Sequence, residues 1–264
     1  MRPCPPLKIT FLGTGTSQGV PVIACDCAVC LSSNPKDQRL RSSILVESPE
    51  TTLVIDAGPD FRQQMLRAGV QKLDAVLMTH EHKDHIAGLD DVRAFNFKQQ
   101  VDMPVYCTTG VETALRREFH YAFSDKKYPG VPEITPVNIH AQQPFSIGDL
   151  WIEPIEVMHH KLPVLGFRVG GFTYITDAKT IEESELEKIK GSTHLVLNAL
   201  RIKPHLSHFN LEEALMLMAH LQPAHGYFIH MSHLLGLHDD INPTLPAPIQ
   251  LAYDGLVLDL PAYP

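Results

Sequence analysis

The pattern His80-x-His82-x-Asp84-His85 places four donors able to bind metal, three imidazoles and the Asp84 carboxylate, within six consecutive positions. Imidazole nitrogen and carboxylate oxygen are ligands that zinc and its first-row neighbours accept, and a short turn presents them convergently. One ion rarely draws four ligands from so short a stretch, so the spacing points to two divalent ions. The apolar run Ala75-Val76-Leu77-Met78 leads into the segment. The donors therefore fall in a loop at the end of a strand, where a rigid scaffold displays chemistry. The helical His-Glu-x-x-His pattern of a zinc protease is not matched. Two ions so placed suit hydrolysis with an activated water.

More donors stand at the ends of other apolar runs. Leu53-Val54-Ile55 ends in Asp56, Thr173-Tyr174-Ile175-Thr176 ends in Asp177, and Gly226-Tyr227-Phe228-Ile229 ends in His230. Each half of the chain thus offers one strand ending in aspartate and one ending in histidine, the pattern of two similar sheets facing a shared site. Cys25-x-Cys27-x-x-Cys30 supplies three soft thiolates. A closed structural zinc site wants four ligands, and His233, three residues beyond His230, is the expected fourth; the alternative is three reduced, partly buried thiols. Cys4 and Cys107 lie apart and read as ordinary free cysteines.

Runs of β-branched and apolar residues place strands at 7–12, 43–47, 52–55, 74–78, 104–107, 150–157, 164–169, 172–176, 194–198, 225–229 and 249–258. Helical spacing falls at about 59–68, 89–98, 111–119, 181–189 and 210–220. In the last of these Asn210 stands at the N-cap, with Glu212 and Glu213 in the first turn, where the helix dipole favours negative charge. Such alternation indicates a layered α/β architecture. Prolines near both ends mark extended tails, and no low-complexity linker divides the chain, so we expect a single domain over 1–264 with a small knuckle at 25–30.

The 264 residues are 44% hydrophobic and 20% charged, an ordinary globular balance, with no apolar run near the ~20 residues that span a bilayer. No signal-peptide pattern opens the chain, and three clustered cysteines do not resemble a secreted disulfide framework, so a cytoplasmic location is expected. A net charge of −8 disfavours long nucleic acid but leaves room for a small anion held by metal.

His-x-His-x-Asp-His after a strand resembles the metallo-β-lactamase superfamily. That resemblance implies a four-layer αββα sandwich with two metal ions, zinc or manganese, in a cleft at one edge between the sheets. One ion would be held by His80, His82 and His159, the other by Asp84, His85 and His230, with Asp177 bridging. His159 is preferred to His160 on its His-x-Lys-Leu spacing. Asp56 would support the metal loop without binding metal, or serve only the Asp-x-Gly turn. Within the superfamily, the cysteine knuckle with His233 is similar to the cyclic-phosphate phosphodiesterase of bacterial phosphonate degradation and its relatives. These carry a catalytic histidine just before the helix at 210–220, where His208 stands, alternatively a helix cap. The implied activity is hydrolysis of a small cyclic nucleotide or cyclic ribose phosphate, with Asp84 or Asp177 orienting the water and His208 assisting the leaving group. The relatives imply a homodimer.

Three rivals share parts of this pattern. A tRNA 3′-processing endonuclease carries a basic RNA-gripping arm, not visible here. A glyoxalase-type thioesterase adds a helical domain after the core, and only 34 residues follow His230. A non-catalytic metal-binding scaffold usually lacks ligands. Gly13-Thr14-Gly15-Thr16-Ser17-Gln18-Gly19 is not a dinucleotide loop, since Gln18 takes the third glycine's place and no helix follows; it reads as a flexible active-site loop. Arg93 reads as a surface charge, and His194 and His205 as structural or surface residues.

Overall fold

The computed structural model describes residues 4–263. Its strands are β1 Leu7–Gly13, β2 Ser43–Glu47, β3 Thr52–Ile55, β4 Ala75–Leu77, β5 Met103–Cys107, β6 Ile134–Asn138 and β7 Phe145–Ile147, then β8 Leu150–His159, β9 Leu162–Val169, β10 Phe172–Tyr174, β11 His194–Asn198, β12 His225–Ile229, β13 Ile249–Leu251 and β14 Val257–Leu260. They form two seven-stranded mixed sheets, ordered β14-β1-β2-β3-β4-β5-β6 and β13-β12-β11-β10-β9-β8-β7. Helices α1 Phe61–Ala68, α2 Lys83–Ile86, α3 Arg93–Gln99, α4 Thr109–Glu118, α5 Glu183–Ile189, α6 Leu211–Leu221 and α7 His238–Ile241 occupy the connections.

Three apolar cores account for four layers. Between the sheets lie Ile9, Phe11, Ile44, Leu53, Ile152, Phe167, Phe172 and Tyr174, among others. The outer face of the first sheet packs on Phe61 and Met65 of α1 and Val111 and Leu115 of α4. The second sheet packs on Ile189 of α5 and Ala214 and Met218 of α6. Strands covered on both faces need apolar side chains on both, which is why β3 and β4 read as unbroken hydrophobic runs rather than alternating ones. This is the expected αββα sandwich.

Helix α6 shows the local logic most clearly. Asn210 accepts from the Glu213 amide at 2.9 Å while Glu213 reaches back to the Asn210 amide at 3.0 Å, a reciprocal cap that contributes about 1 kcal/mol.

Several boundaries differ from expectation. The run 249–258 is two strands in different sheets: β13 lies beside β12, and β14 pairs antiparallel with β1. The break is a turn at Gly255, φ +89°, beside the buried Asp254 carboxylate, which accepts from Thr14 Oγ1 and the Leu40 amide. Strands β6 and β7 escaped the pattern because both are edge strands, short and partly solvated, and β6 contains Pro136. The stretch 89–98 is a 3₁₀ turn, Leu89–Val92, followed by α3. The tails are paired with each other, Cys4 and Tyr263 exchanging both backbone hydrogen bonds. No helix among the described residues is long and apolar enough to cross a membrane.

Candidate active site

The site forms where the carboxyl ends of β3, β4, β10 and β12 meet across the inter-sheet core. Three of its residues sit in the left-handed backbone region just past their strands: Asp56 (φ +66°), Asp177 (φ +55°) and His230 (φ +55°). Non-glycine residues held there cost of order 1–3 kcal/mol each and persist where the surroundings over-determine them. The turn after Asp56 needs its glycine for a different reason: a Cβ on Gly58 would lie 2.0 Å from the Asp84 carbonyl oxygen. The Ala57 amide donates to the His85 carbonyl at 2.8 Å, so the Asp-x-Gly turn is packed directly on the metal-loop backbone.

Asp56 is fully buried and accepts from the Thr79 amide (2.9 Å), the Thr79 hydroxyl (2.8 Å) and His85 Nδ1 (2.7 Å). The Thr79 oxygen in turn lies 3.0 Å from His80 Nδ1. With its proton donated to Asp56, that hydroxyl accepts from His80 Nδ1–H. One carboxylate therefore fixes both rings so that each Nε2 turns inward with a free lone pair. His159 is fixed in the same way, its Nδ1 lying 2.8 Å from the Ser207 carbonyl oxygen.

Inside this shell Asp84, His85, Asp177 and His230 bring one donor atom each within 4.8 Å of one another. His85 Nε2 lies 3.1 Å from Asp84 Oδ2 and 3.3 Å from Asp177 Oδ2, and His230 Nδ1 lies 3.2 Å from the same Asp177 oxygen. His159, Asp177 and His208 form an equally close group sharing Asp177. His80 and His82 join through ring contacts, His80–His82 at 4.5 Å, His82–His159 at 5.1 Å and His80–His159 at 6.0 Å between centroids. His160 (φ +56°) is exposed in the hairpin after β8, so His159 is the one that enters the cluster.

The donors fit metal on a physical test. His80 Nε2, His85 Nε2 and His208 Nδ1 are buried without a hydrogen-bond partner, although polar atoms are rarely left so. Burial pushes His80 well below the ordinary histidine range, with His85 adding to it. For His85 burial works against the charged form, but Asp56, Asp177 and Asp84 override it and hold the ring well above its usual value. Burial would likewise raise Asp177, yet His230 and His85 hold it well below the carboxylate range. His208 falls to about 3, from burial first and the neighbouring His230 second. Such a dense buried set of imidazoles and carboxylates suits two cations that share Asp177.

The knuckle assembles as expected. Cys25, Cys27 and Cys30 place their sulfurs 3.2, 3.4 and 3.5 Å from His233 Nδ1. Tetrahedral zinc with its usual bond lengths needs ligand separations of roughly 3.5 Å. The Cys30 amide, then His233, lower the Cys27 thiol to about 6, while burial raises Cys30 to about 11.

Other residues behave differently from their sequence expectation. The 13–19 segment is pinned rather than flexible: Gly15 bridges both Arg41 and Met231 in parallel, and Thr14 and Thr16 are buried. Thr16, Thr79 and Ser207 all touch candidate ligands, and only their position beside glycines or histidines hinted at it. His205 lies 5.2 Å from His208, ring to ring, nearer the site than expected. Arg93 is a surface charge paired with Asp90, and His194 stacks on His225 in the second sheet. Cys4 and Cys107 are free and buried.

Comparison with known proteins agrees with this geometry. The family model described as "Beta-lactamase superfamily domain" matches residues 51–231. The solved structure of a new diphosphatase from the PhnP family is 40% identical and superposes with a TM-score of 0.91 over 97% of each chain. Zinc-bound PqqB from Methylobacterium extorquens, 19% identical with a TM-score of 0.79 over 96% of this chain and 100% of its own, shares the fold. Among curated proteins an octanoyltransferase of Porphyromonas gingivalis is 39% identical over 95% of this chain but only 51% of its own length. The chain spans about half or less of the curated relatives it matches. With two stacked sheets, a histidine–aspartate cluster at their shared edge and a matching family model over residues 51–231, this chain belongs to the metallo-β-lactamase superfamily.

Proposed function

We propose that the protein is a metal-dependent hydrolase of small phosphodiesters, a cyclic nucleotide or cyclic ribose phosphate. His80, His82 and His159 would hold one divalent ion and Asp84, His85 and His230 the other, with Asp177 available to both. Bound ions supply Lewis-acid charge and an activated water. The protein's own groups do the rest. Asp56, Thr79 and Ser207 lock ligand rings, Asp84 or Asp177 orients the attacking water by accepting its hydrogen bond, and His208 assists the oxygen that leaves with a hydrogen bond from its ring N–H.

The observation that carries this reading is His208. Its ring lies 4.5 Å from that of His159, and its buried Nδ1 has no hydrogen-bond partner, the Asp177 carboxylate standing 3.8 Å away. Helix capping does not occupy it, because Asn210 caps α6. A second reading, cleavage of a diphosphate, is favoured by the 40% identical diphosphatase. The two separate on leaving-group basicity: an alkoxide needs a proton at departure, whereas a phosphate leaves without one.

Octanoyl transfer belongs to a relative of about twice this length, of which the chain covers only 51%, so it does not set the reading of this site. The test is a panel of a 2′,3′-cyclic nucleotide, a diphosphate ester and a thioester with wild type and His208→Ala. We expect cyclic-ester hydrolysis, reduced about 10²–10⁴-fold in the variant, the usual contribution of a positioned acid or base. Diphosphate cleavage insensitive to His208→Ala would support the second reading. Thioester cleavage alone would overturn both.

A further inference from the structure

His230 presents its two ring nitrogens to different surroundings. Nδ1 lies 3.2 Å from Asp177 Oδ2, inside the donor cluster, and at a longer 3.5 Å from the Thr176 hydroxyl, which itself donates to that Asp177 oxygen. Nε2 lies 3.2 Å from Thr16 Oγ1 on the opposite side. The ring is 1% exposed and Thr16 7%, so water does not substitute for either contact. His85 and His208 flank the ring in near-parallel stacks, at 5.8 Å and 11° and at 4.9 Å and 22°, which keeps it from tilting out of the cluster.

A neutral imidazole that turns the lone pair of Nδ1 toward a cation carries its proton on Nε2. A buried N–H without an acceptor is costly, so the tautomer depends on what faces Nε2. We propose that Thr16 is the positioning residue of His230: its hydroxyl oxygen accepts the Nε2–H hydrogen bond and holds the tautomer whose Nδ1 faces Asp177. The proposal rests on the reading of His230 as a metal ligand.

The backbone around Thr16 makes it able to do this. The Thr16 amide donates to the Met231 carbonyl at 3.1 Å, and the Met231 amide donates to the Thr14 carbonyl at 3.0 Å. On the other side the Gly15 amide donates to the Leu40 carbonyl at 2.8 Å, and the Ser42 amide to the Gly15 carbonyl at 3.0 Å. Thr16 is thus held in a small ladder between the first sheet's connecting segment and the residue that follows His230. Gly15 is required for that approach, because a Cβ there would lie 2.9 Å from both the Arg39 carbonyl oxygen and Cβ. A hydroxyl fixed on both sides can set a ring orientation, as the Thr79 hydroxyl does for His80.

The experiment is a chelator-competition zinc titration of wild type, Thr16→Val, Thr16→Ser and His230→Ala, with long-range nitrogen NMR of the His230 ring as a second readout. Thr16→Val keeps the shape and removes the acceptor, so we expect about 10–100-fold weaker binding of one cluster ion, with the knuckle ion unchanged. Thr16→Ser restores the hydroxyl and should restore the affinity, a rescue that mere packing by the methyl group would not give. In zinc-loaded wild type the ring should carry its proton on Nε2. Unchanged affinity in Thr16→Val, or an Nδ1–H tautomer in wild type, overturns the proposal. If His230→Ala loses no ion, the ligand reading itself fails; if it loses one and Thr16→Val none, only the role of Thr16 fails.

Discussion

Replacing Asp56 by asparagine isolates the part of the site that no substrate touches. Asparagine tolerates the left-handed backbone at this position, so φ +66° is not itself disturbed. Its amide oxygen, in the place of Oδ1, still accepts from the Thr79 amide and, at 3.1 Å, from the Thr79 hydroxyl, which preserves the hold on His80. Its NH₂ group takes the place of Oδ2, 2.7 Å from His85 Nδ1, so two donors now face each other. The His85 proton must move to Nε2, the nitrogen that faces Asp84 and Asp177, and one donor is lost from the cluster. Loss of an outer-shell partner costs 10–100-fold in metal affinity, or about 1.4–2.8 kcal/mol. Because most of the hydrogen bonds survive, metal-free stability should change by no more than about 1 kcal/mol. Chelator-competition titration of Asp56→Asn should therefore show one weakened ion, the other cluster ion and the knuckle ion unchanged, and a thermal midpoint in chelator near that of wild type. Wild-type affinity for all ions would refute the argument that Asp56 sets the His85 tautomer.

Other outcomes follow from the knuckle and from the second sheet. Cys27→Ala should reduce bound metal by one ion per chain and lower the thermal midpoint, as judged by elemental analysis and calorimetry; unchanged metal content would exclude the four-ligand knuckle. Burial, with His225 second, lowers His194 from 6.5 to about 4, so the unfolded chain binds the extra proton between those values. Stability contributed by neutral His194 is thus present above pH 6.5 and is lost as pH falls toward 4. In chelator-treated protein, His194→Phe should flatten the fall of unfolding free energy across that window by up to one proton's slope, and parallel curves would count against it.

Much of the site was legible because its donors end apolar strands. His80 to His85, Asp177 and His230 each follow a run that only a buried strand explains, and strands of stacked sheets end at a common edge. The knuckle was legible for a related reason, since the spacing of Cys25, Cys27 and Cys30 is local. Asp56 and Asp177, one at a strand end in each half of the chain, are alike in geometry as well, both lying just past a strand with φ near +60°. What remained hidden was whatever depends on two distant segments meeting. Edge strands β6 and β7 bury too little to leave a pattern. The split of 249–258 follows from where Asp254 is caught by Thr14 and Leu40, not from its own residues. Tautomers are of the same kind: the sequence by itself determined which residues can donate to a metal, because donor chemistry belongs to the side chain. Only the tertiary structure decided which nitrogen of each ring faces inward, because that is set by Asp56, Thr79, Ser207 and Thr16, acceptors on other segments or on the strand end itself.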